Sequence, residues 1–258
     1  MPDVYATIDQ APEALQDQLA DVLELRAADA QQRAMLEAYL ADVPLSGARV
    51  LEIGCGTGAI ARRLARDAQT VLGVDPSPVF VKRAKSLAPE LEFQIADGRD
   101  LPFGNDTFDV VVCHTVLCHI PDCQAVLTEA RRVAQHLAIF EGDYVTTTVA
   151  ITDNDPLQPC AEATVKGLVN DRWLVRKLPK LLADSGWAVK TSRSLGYTET
   201  SAPGYTLTLV DRGAQLLAAA GTISDELAKA LQAEARRRVD AGTFYGHITY
   251  ASFAASRV

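Results

Sequence analysis

Residues 50–58, Val-Leu-Glu-Ile-Gly-Cys-Gly-Thr-Gly, run a short apolar stretch straight into three alternating glycines, Gly54, Gly56 and Gly58. Val50, Leu51 and Ile53 make the kind of run that is buried inside a parallel sheet, and Ala59 to Asp67 reads as a helix. The turn therefore joins a strand to a helix. Glycine admits positive φ and removes the β-carbon from the path of an approaching ligand, so this spacing predicts a ligand resting on the main chain at the carboxyl end of the strand. Three glycines so close together weaken a chain unless something uses them.

The flanking pattern extends the unit. Apolar runs at Thr70–Asp75, Leu91–Ala96, Phe108–His114 and His136–Glu141 alternate with segments of helical spacing. Five strands and four helical segments between Val50 and Asp143 are the pattern of a doubly wound α/β sheet. A further strand at Ala188–Leu195 and a last one at Phe244–Ser256 bring the expected sheet to seven.

Spacing alone leaves the ligand open, because Gly54, Gly56 and Ala59 also satisfy the relaxed dinucleotide fingerprint. Charge separates the alternatives. A pyrophosphate favours helix amides with no carboxylate nearby, yet Glu52 sits just ahead of the turn. S-adenosylmethionine carries no phosphate and brings an ammonium and a sulfonium, which Glu52 favours. The second strand ends in Asp75, where a carboxylate can accept both ribose hydroxyls, a role shared by dinucleotide and adenosyl binders. The third ends at Asp97, followed by Gly98, an acceptor for an amino group beside a residue that lets a base lie flat. Strand carboxyl ends of an open parallel sheet converge on one crevice, so Glu52, Asp75 and Asp97 are expected together.

These segments, VLEIGCGTG (50–58), VLGVDPSP (71–78), ADGRDLPF (96–103) and FDVVVCHTVLCHIPD (108–122), resemble the class I S-adenosylmethionine-dependent methyltransferases. The likeness is to the branch of the ubiquinone and menaquinone biosynthesis C-methyltransferases and small-molecule natural-product methyltransferases. It implies a Rossmann-like doubly wound, seven-stranded sheet, mostly parallel with an antiparallel last strand at the edge, under a helical substrate lid. It implies S-adenosyl-L-methionine as cofactor and S-adenosyl-L-homocysteine as product. Gly54, Cys55 and Gly56 would lie under the methionine part, with Gly58 completing the turn. Asp75, Pro76 and Ser77 would stand at the ribose, Asp97 and Gly98 at the adenine, and His114 near the sulfonium. One departure is that Arg131–His136 lacks the Lys-Pro-Gly-Gly type of turn that precedes the fifth strand in the family.

Composition narrows the partners. The 258 residues can bury a sizeable core, and a net charge of −8 disfavours a nucleic-acid substrate. Arg236–Arg238 is a basic run, but at the end of an amphipathic segment it reads as a solvated helix face. No apolar stretch reaches the roughly 18 residues of a membrane span, and Met-Pro-Asp-Val-Tyr is no signal peptide, so a cytoplasmic protein is expected. Five cysteines are an odd number and give no disulfide framework. Cys113, His114, Cys118, His119 and Cys123 lack the C-x2-C grip of a zinc site, so no metal is expected.

The chain reads as a single domain: an N-terminal helical cap (1–45), a cofactor-binding core (46–150), an insertion with helix and strand (151–202), a helical lid (203–242) and a final edge strand (243–258). In detail, two helices precede the first strand, 152–171 is irregular around Pro156 and Pro159, and helices span Trp173–Asp184, Tyr205–Ala220 and Ser224–Ala241. Residues 1–45, 152–172 and 203–242 are expected over the crevice, where a small, partly apolar acceptor would bind; helices of this kind can instead form a homodimer. Methyl transfer needs a base only if the acceptor must lose a proton. His119 in the loop after the fourth strand is the leading candidate, with Glu141 and Asp143 after it. A nicotinamide dehydrogenase would need a Tyr-x-x-x-Lys pair, and an adenine N6-methyltransferase an Asn/Asp-Pro-Pro-aromatic motif where this chain has Cys-His-Thr-Val. A cofactor binder with a regulatory or non-methylating role is the alternative that motifs leave standing.

Overall fold

The computed structural model describes Tyr5 and residues 7–258; residues 1–4 and 6 of the expected N-terminal cap lie outside the described residues. Strands β1 (Arg49–Ile53), β2 (Thr70–Asp75), β3 (Glu92–Ile95), β4 (Val110–His114), β5 (His136–Thr148), β6 (Trp187–Glu199) and β7 (Gly246–Arg257) form one sheet in the order β3-β2-β1-β4-β5-β7-β6. Pairing from β3 through β5 is parallel, and β7 is antiparallel to both its neighbours. The last strand is therefore antiparallel as expected, but it is not the edge. β7 inserts between β5 and β6, and β6 forms that edge. An apolar-rich final strand satisfies both of its ladders there, with Ile248 and Tyr250 fully buried.

Helices α1 (Glu13–Ala28) and α2 (Ala30–Leu40) precede the sheet, and α3 (Ala59–Leu64), α4 (Pro78–Leu87) and α5 (Cys123–Val133) are its crossovers. The fourth helical segment expected between the first five strands is absent: residues 96–109 link β3 to β4 without a helix. Pro102 and Gly104 break that stretch, and Asp97 takes the Arg99 N–H in a turn at 2.9 Å. Conversely, the segment around Pro156 and Pro159 contains helix α6 (Gln158–Leu168), with Pro159 in its first turn, where a missing N–H costs nothing. Helices α7 (Leu174–Asp184), α8 (Tyr205–Ala219) and α9 (Asp225–Asp240) complete the described chain.

Val110, Val111 and Val112 on β4 and Leu137, Ala138 and Ile139 on β5 have no exposed surface, so the sheet centre is apolar on both faces. Each such Val or Leu contributes roughly 1.5–3 kcal/mol on burial. A separate small core, including Leu157, Cys160, Val210, Ala214, Ala235 and Phe244, unites α6, α8 and α9. Gly213 allows the close approach of α8 to α6: a β-carbon there would lie 1.8 Å from the Cys160 carbonyl oxygen.

Candidate cofactor and acceptor site

Parallel register sets the site. Ile53 is level with Val74, and Asp75 with Ile95, so the residues just past β1, β2 and β3 emerge side by side. They open on a cavity of about 310 Å³. Glu52, Gly54, Cys55, Gly56, Asp75, Pro76, Asp97, Gly98, His114 and His119 all line it. Gly58, Ser77, Glu141 and Asp143 do not. The helical side comes from Tyr5 and from α1 and α2, through Leu23, Arg26, Gln32, Arg33 and Leu36 among others. No residue beyond Pro121 lines the cavity. Of the three additions expected above it, only the first supplies lining; α6, α8 and α9 pack mainly on one another, and Tyr205 at the head of α8 reaches only as far as Arg26.

The glycine turn is shaped by close contacts. Gly54 has φ +73°, and a β-carbon on it would fall 2.1 Å from Val116 Cγ2; Gly58 has φ +78°, caps α3, and lies against the Phe93 ring. Gly58 therefore serves the join of helix to sheet, not the cavity wall. Ser77 caps α4, accepting the Phe80 N–H at 3.3 Å, and donates its hydroxyl to Asp9 at 2.6 Å.

The Asp75 carboxylate accepts the Gly56 N–H and the Ser77 N–H, each at 2.9 Å. A carboxylate offers about four acceptor positions, so it retains capacity for further donors. Burial pushes its pKa up to about 6, against the pull of those two amides and with some help from Asp9. Glu52 is 2 % exposed, and its Oε2 has no hydrogen-bond partner among the described residues. Burial, then the neighbouring Asp75, hold its carboxyl well above the usual range, while the Ala61 N–H and Arg62 act the other way. Asp97 differs from both, because its two oxygens are taken by the Arg99 guanidinium at the rim, with distances of 2.6–3.1 Å.

Beyond β4, His114 Nδ1 hydrogen-bonds the Tyr39 hydroxyl at 3.0 Å and its ring stacks on Phe140 at 4.7 Å between centroids. Burial, assisted by Arg26, pushes the His114 pKa down to about 3, so the imidazole is neutral at ordinary pH. Thr115 has φ +50°, a strained value for a β-branched residue. The strain is held by the Thr115 N–H on the Phe140 carbonyl at 2.7 Å and by Glu141, whose Oε1 accepts the Val116 and Leu117 N–H groups at 2.8 and 2.6 Å. Glu141 is thus a fully buried clamp beneath the loop that carries His119. Asp143 faces away from the cavity and pairs with Arg176 at 3.3 Å. The His119 ring lies on the cavity wall with the Tyr5 ring 4.9 Å away. Burial raises the Cys55 thiol above its usual value, which makes it a poor nucleophile.

Arg26, Gln32, Arg33, Leu36 and Thr115 are cavity residues that the motifs did not reveal. For the helical ones only the apolar spacing of α1 and α2 was visible, and that spacing names the buried face without saying what the polar face covers. Among the described residues, no group of three or more His, Cys, Asp or Glu could hold a metal ion, and no helix is long and apolar enough to cross a membrane.

Residues 51–140, which include β1, the glycine turn and β4, match a family described as a methyltransferase domain. Over that segment the chain is similar to a methyltransferase domain. The ubiquinone biosynthesis O-methyltransferase of Xylella fastidiosa is 32 % identical over 143 residues, covering 54 % of this chain and 53 % of the relative. The chain spans about half the length of the curated relatives it matches. The solved structure of the BH2331 protein of Bacillus halodurans superposes with a TM-score of 0.61 at 17 % identity, over 86 % of this chain and 97 % of that one. Geranyl diphosphate C-methyltransferase from Streptomyces coelicolor A3(2), solved with Mg2+, geranyl diphosphate and S-adenosyl-L-homocysteine, gives 0.54 at 16 % identity, over 88 % and 79 %. At these identities the structural likeness speaks for the fold alone: a seven-stranded, mostly parallel sheet flanked by helices.

Proposed function

We propose that the protein is an S-adenosylmethionine-dependent methyltransferase acting on a small-molecule acceptor. The observation that carries this reading is Glu52 Oε2, a buried carboxylate oxygen without a partner, beside a glycine turn and facing the same cavity as Asp75. A buried acid left unpaired is costly unless a cation or donor meets it, and a pyrophosphate would meet it with repulsion. The donor set therefore fits a nucleoside that carries positive charge. In this assignment Asp75 accepts from the ribose, Asp97 and Gly98 border the adenine, and Gly54, Cys55, Gly56 and His114 surround the methionine end. Gly58, Pro76 and Ser77 shape the turns around them.

When bound, S-adenosylmethionine supplies an electrophilic methyl carbon on a sulfonium. The chain's contribution is to hold an acceptor atom about 3–3.5 Å from that carbon in a water-poor site. Tyr5, Leu23, Leu36 and Ile120 exclude water from the cavity, and His114 stays uncharged beside the sulfonium end, adding no repulsion. Where the acceptor is a phenol or enol, His119 is the group on the wall that takes its proton. Glu141 acts through the loop backbone instead of touching the acceptor. The net charge of −8 supports a small molecule over a nucleic acid.

Calorimetry with S-adenosylhomocysteine and with a nicotinamide dinucleotide tests the cofactor assignment. Binding of the former with micromolar affinity and not the latter is expected, and Asp75→Ala lowers that affinity by about 10–100-fold, roughly 1.4–2.8 kcal/mol. Binding of the nicotinamide cofactor alone would discard the reading. Methylated product, detected by mass against a panel of phenols, enols and amines, separates a methyltransferase from a protein that only binds the cofactor.

A further inference from the structure

Arg26 on α1 lines the cavity, and its Nε is buried without a hydrogen-bond partner. Among the described residues no carboxylate lies within ion-pair distance of its guanidinium. Other arginines of the chain behave differently: Arg62 holds Glu24 at 2.6 Å, and the 9 % exposed Arg238 holds Asp155 at 2.7 Å and Glu234 at 2.8 Å. The surroundings of Arg26 are aromatic. Its guanidinium sits 5.6 Å from the centre of the Tyr205 ring, and Tyr5, Tyr144 and Tyr250 are the other groups close enough to influence its charge. An arginine cannot shed its proton, so this half-buried guanidinium, with its Nε out of water and no counter-ion among the described residues, presents the cavity with an unmet demand for an anion. Cation–π contact with one ring offsets only part of it.

Position along the sheet says which anion. The order β3-β2-β1-β4-β5-β7 places Asp97, Asp75 and Glu52 on one side of the crevice, past β3, β2 and β1. The groups that surround Arg26 come from the other side: Tyr144 on β5, Tyr250 on β7 and His114 at the end of β4. Arg26 thus stands beyond the residues assigned to the adenosyl group, where an acceptor must lie to meet the methyl. The rest of the cavity wall includes the apolar and aromatic side chains of Tyr5, Leu36, Ile120 and Pro121.

We propose that Arg26 anchors the acceptor through an acidic group, so that the substrate is a small carboxylic acid with an apolar or aromatic body. This rests on the methyltransferase reading and deepens it. Gln32, which also lines the cavity, is held in place by its Nε2 donating to the buried Tyr250 hydroxyl at 3.3 Å. The carboxylate holds one end of the acceptor, and the cavity wall holds its body against the methyl.

The test uses the full chain saturated with S-adenosylhomocysteine at pH 7.5, and the probes are benzoate and hexanoate, their neutral amides, and inorganic phosphate. At least one acid is expected to bind tenfold or more tightly than its amide, and more tightly than phosphate. Arg26→Leu abolishes that preference, leaves the S-adenosylhomocysteine Kd within about twofold, and unfolds at the same or a higher temperature than wild type. If Arg26→Leu weakens S-adenosylhomocysteine tenfold or more, the guanidinium serves the cofactor and the proposal falls. Equal binding of acid and amide, or tighter binding of phosphate, also overturns it. Failure of wild type to bind S-adenosylhomocysteine overturns the methyltransferase reading itself.

Discussion

The α6–α8–α9 region and the cavity each take an arginine at least partly out of water, and they resolve it in opposite ways. Arg238 meets Asp155, whose side chain is fully buried and whose oxygens also accept the Ile151 and Leu157 N–H groups at 3.0 Å. The buried charges Arg238 and Asp155 there have their counterparts inside the fold. Around the cavity, among the described residues, Arg26 has no carboxylate partner and Glu52 keeps an empty oxygen. Folding alone gains nothing from leaving such groups unmet, since each costs free energy until something binds. Closed electrostatics mark a region built for stability, and open electrostatics mark one built for ligands.

The sharpest way to break this contrast is to open the closed region. Asp155→Ala leaves Arg238 buried against Glu234 alone and frees two backbone amides. A loss of about 3–5 kcal/mol in urea unfolding is expected, the range for stripping a partner from a buried pair. Cofactor affinity should not change at temperatures where the variant is folded. A stability loss below about 1 kcal/mol would mean that Arg238 is satisfied without Asp155.

A smaller stability effect, joined to loss of binding, is expected at the glycine turn. Gly54→Val forces a β-branched residue to φ +73° and drives its β-carbon into Val116. The left-handed backbone costs roughly 1–2 kcal/mol, and the displaced loop about 1–3 kcal/mol more. Because Val116 belongs to the loop clamped by Glu141, S-adenosylhomocysteine binding should vanish even where the fold survives, which calorimetry on the folded variant would check.

The two regions also differed in how readable they were. Glu52, Asp75 and Asp97 follow from local chemistry, an apolar strand with a glycine or an acid at its tip, whereas His114 comes only from the resemblance of its motif. Parallel register then brings the three acids together with no further information. The sheet order past β5 was not legible, because β7 has the same strand pattern whether it lies at the edge or between β5 and β6. Helix α6 was hidden by prolines that read as breakers, although Pro159 stands in a first turn where proline is tolerated. Arg26 and Arg33 were hidden for a different reason. A polar residue on an amphipathic helix looks solvated in sequence, and only the tertiary placement of α1 and α2 turns that face onto the cavity. Glu141 illustrates the converse: its position past a strand end suggested chemistry, whereas burial and two backbone donors make it a loop clamp.

Glu52 gives the smallest effect and the most discriminating one, because its two consequences have opposite signs. Its folded-state carboxyl is held well above the usual range, by burial first and then by Asp75. A raised carboxyl contributes its full stability below the unfolded value of about 4.3 and loses it as pH climbs toward the folded value, at about 1.4 kcal/mol per pH unit. Glu52→Gln removes that loss. The variant and wild type should unfold together near pH 4 to 4.5, and the variant should be the more stable by about 1–2 kcal/mol at pH 8. Affinity for S-adenosylmethionine should move the other way, falling about tenfold at pH 8 with a smaller difference near pH 5, where the wild-type carboxyl already carries its proton. Calorimetry in buffers of different ionisation heat should then detect a proton released when wild type binds the cofactor, absent in Glu52→Gln. If the variant is instead less stable at pH 8 and binds equally well, Glu52 belongs with Asp155 among the charges that the fold itself satisfies.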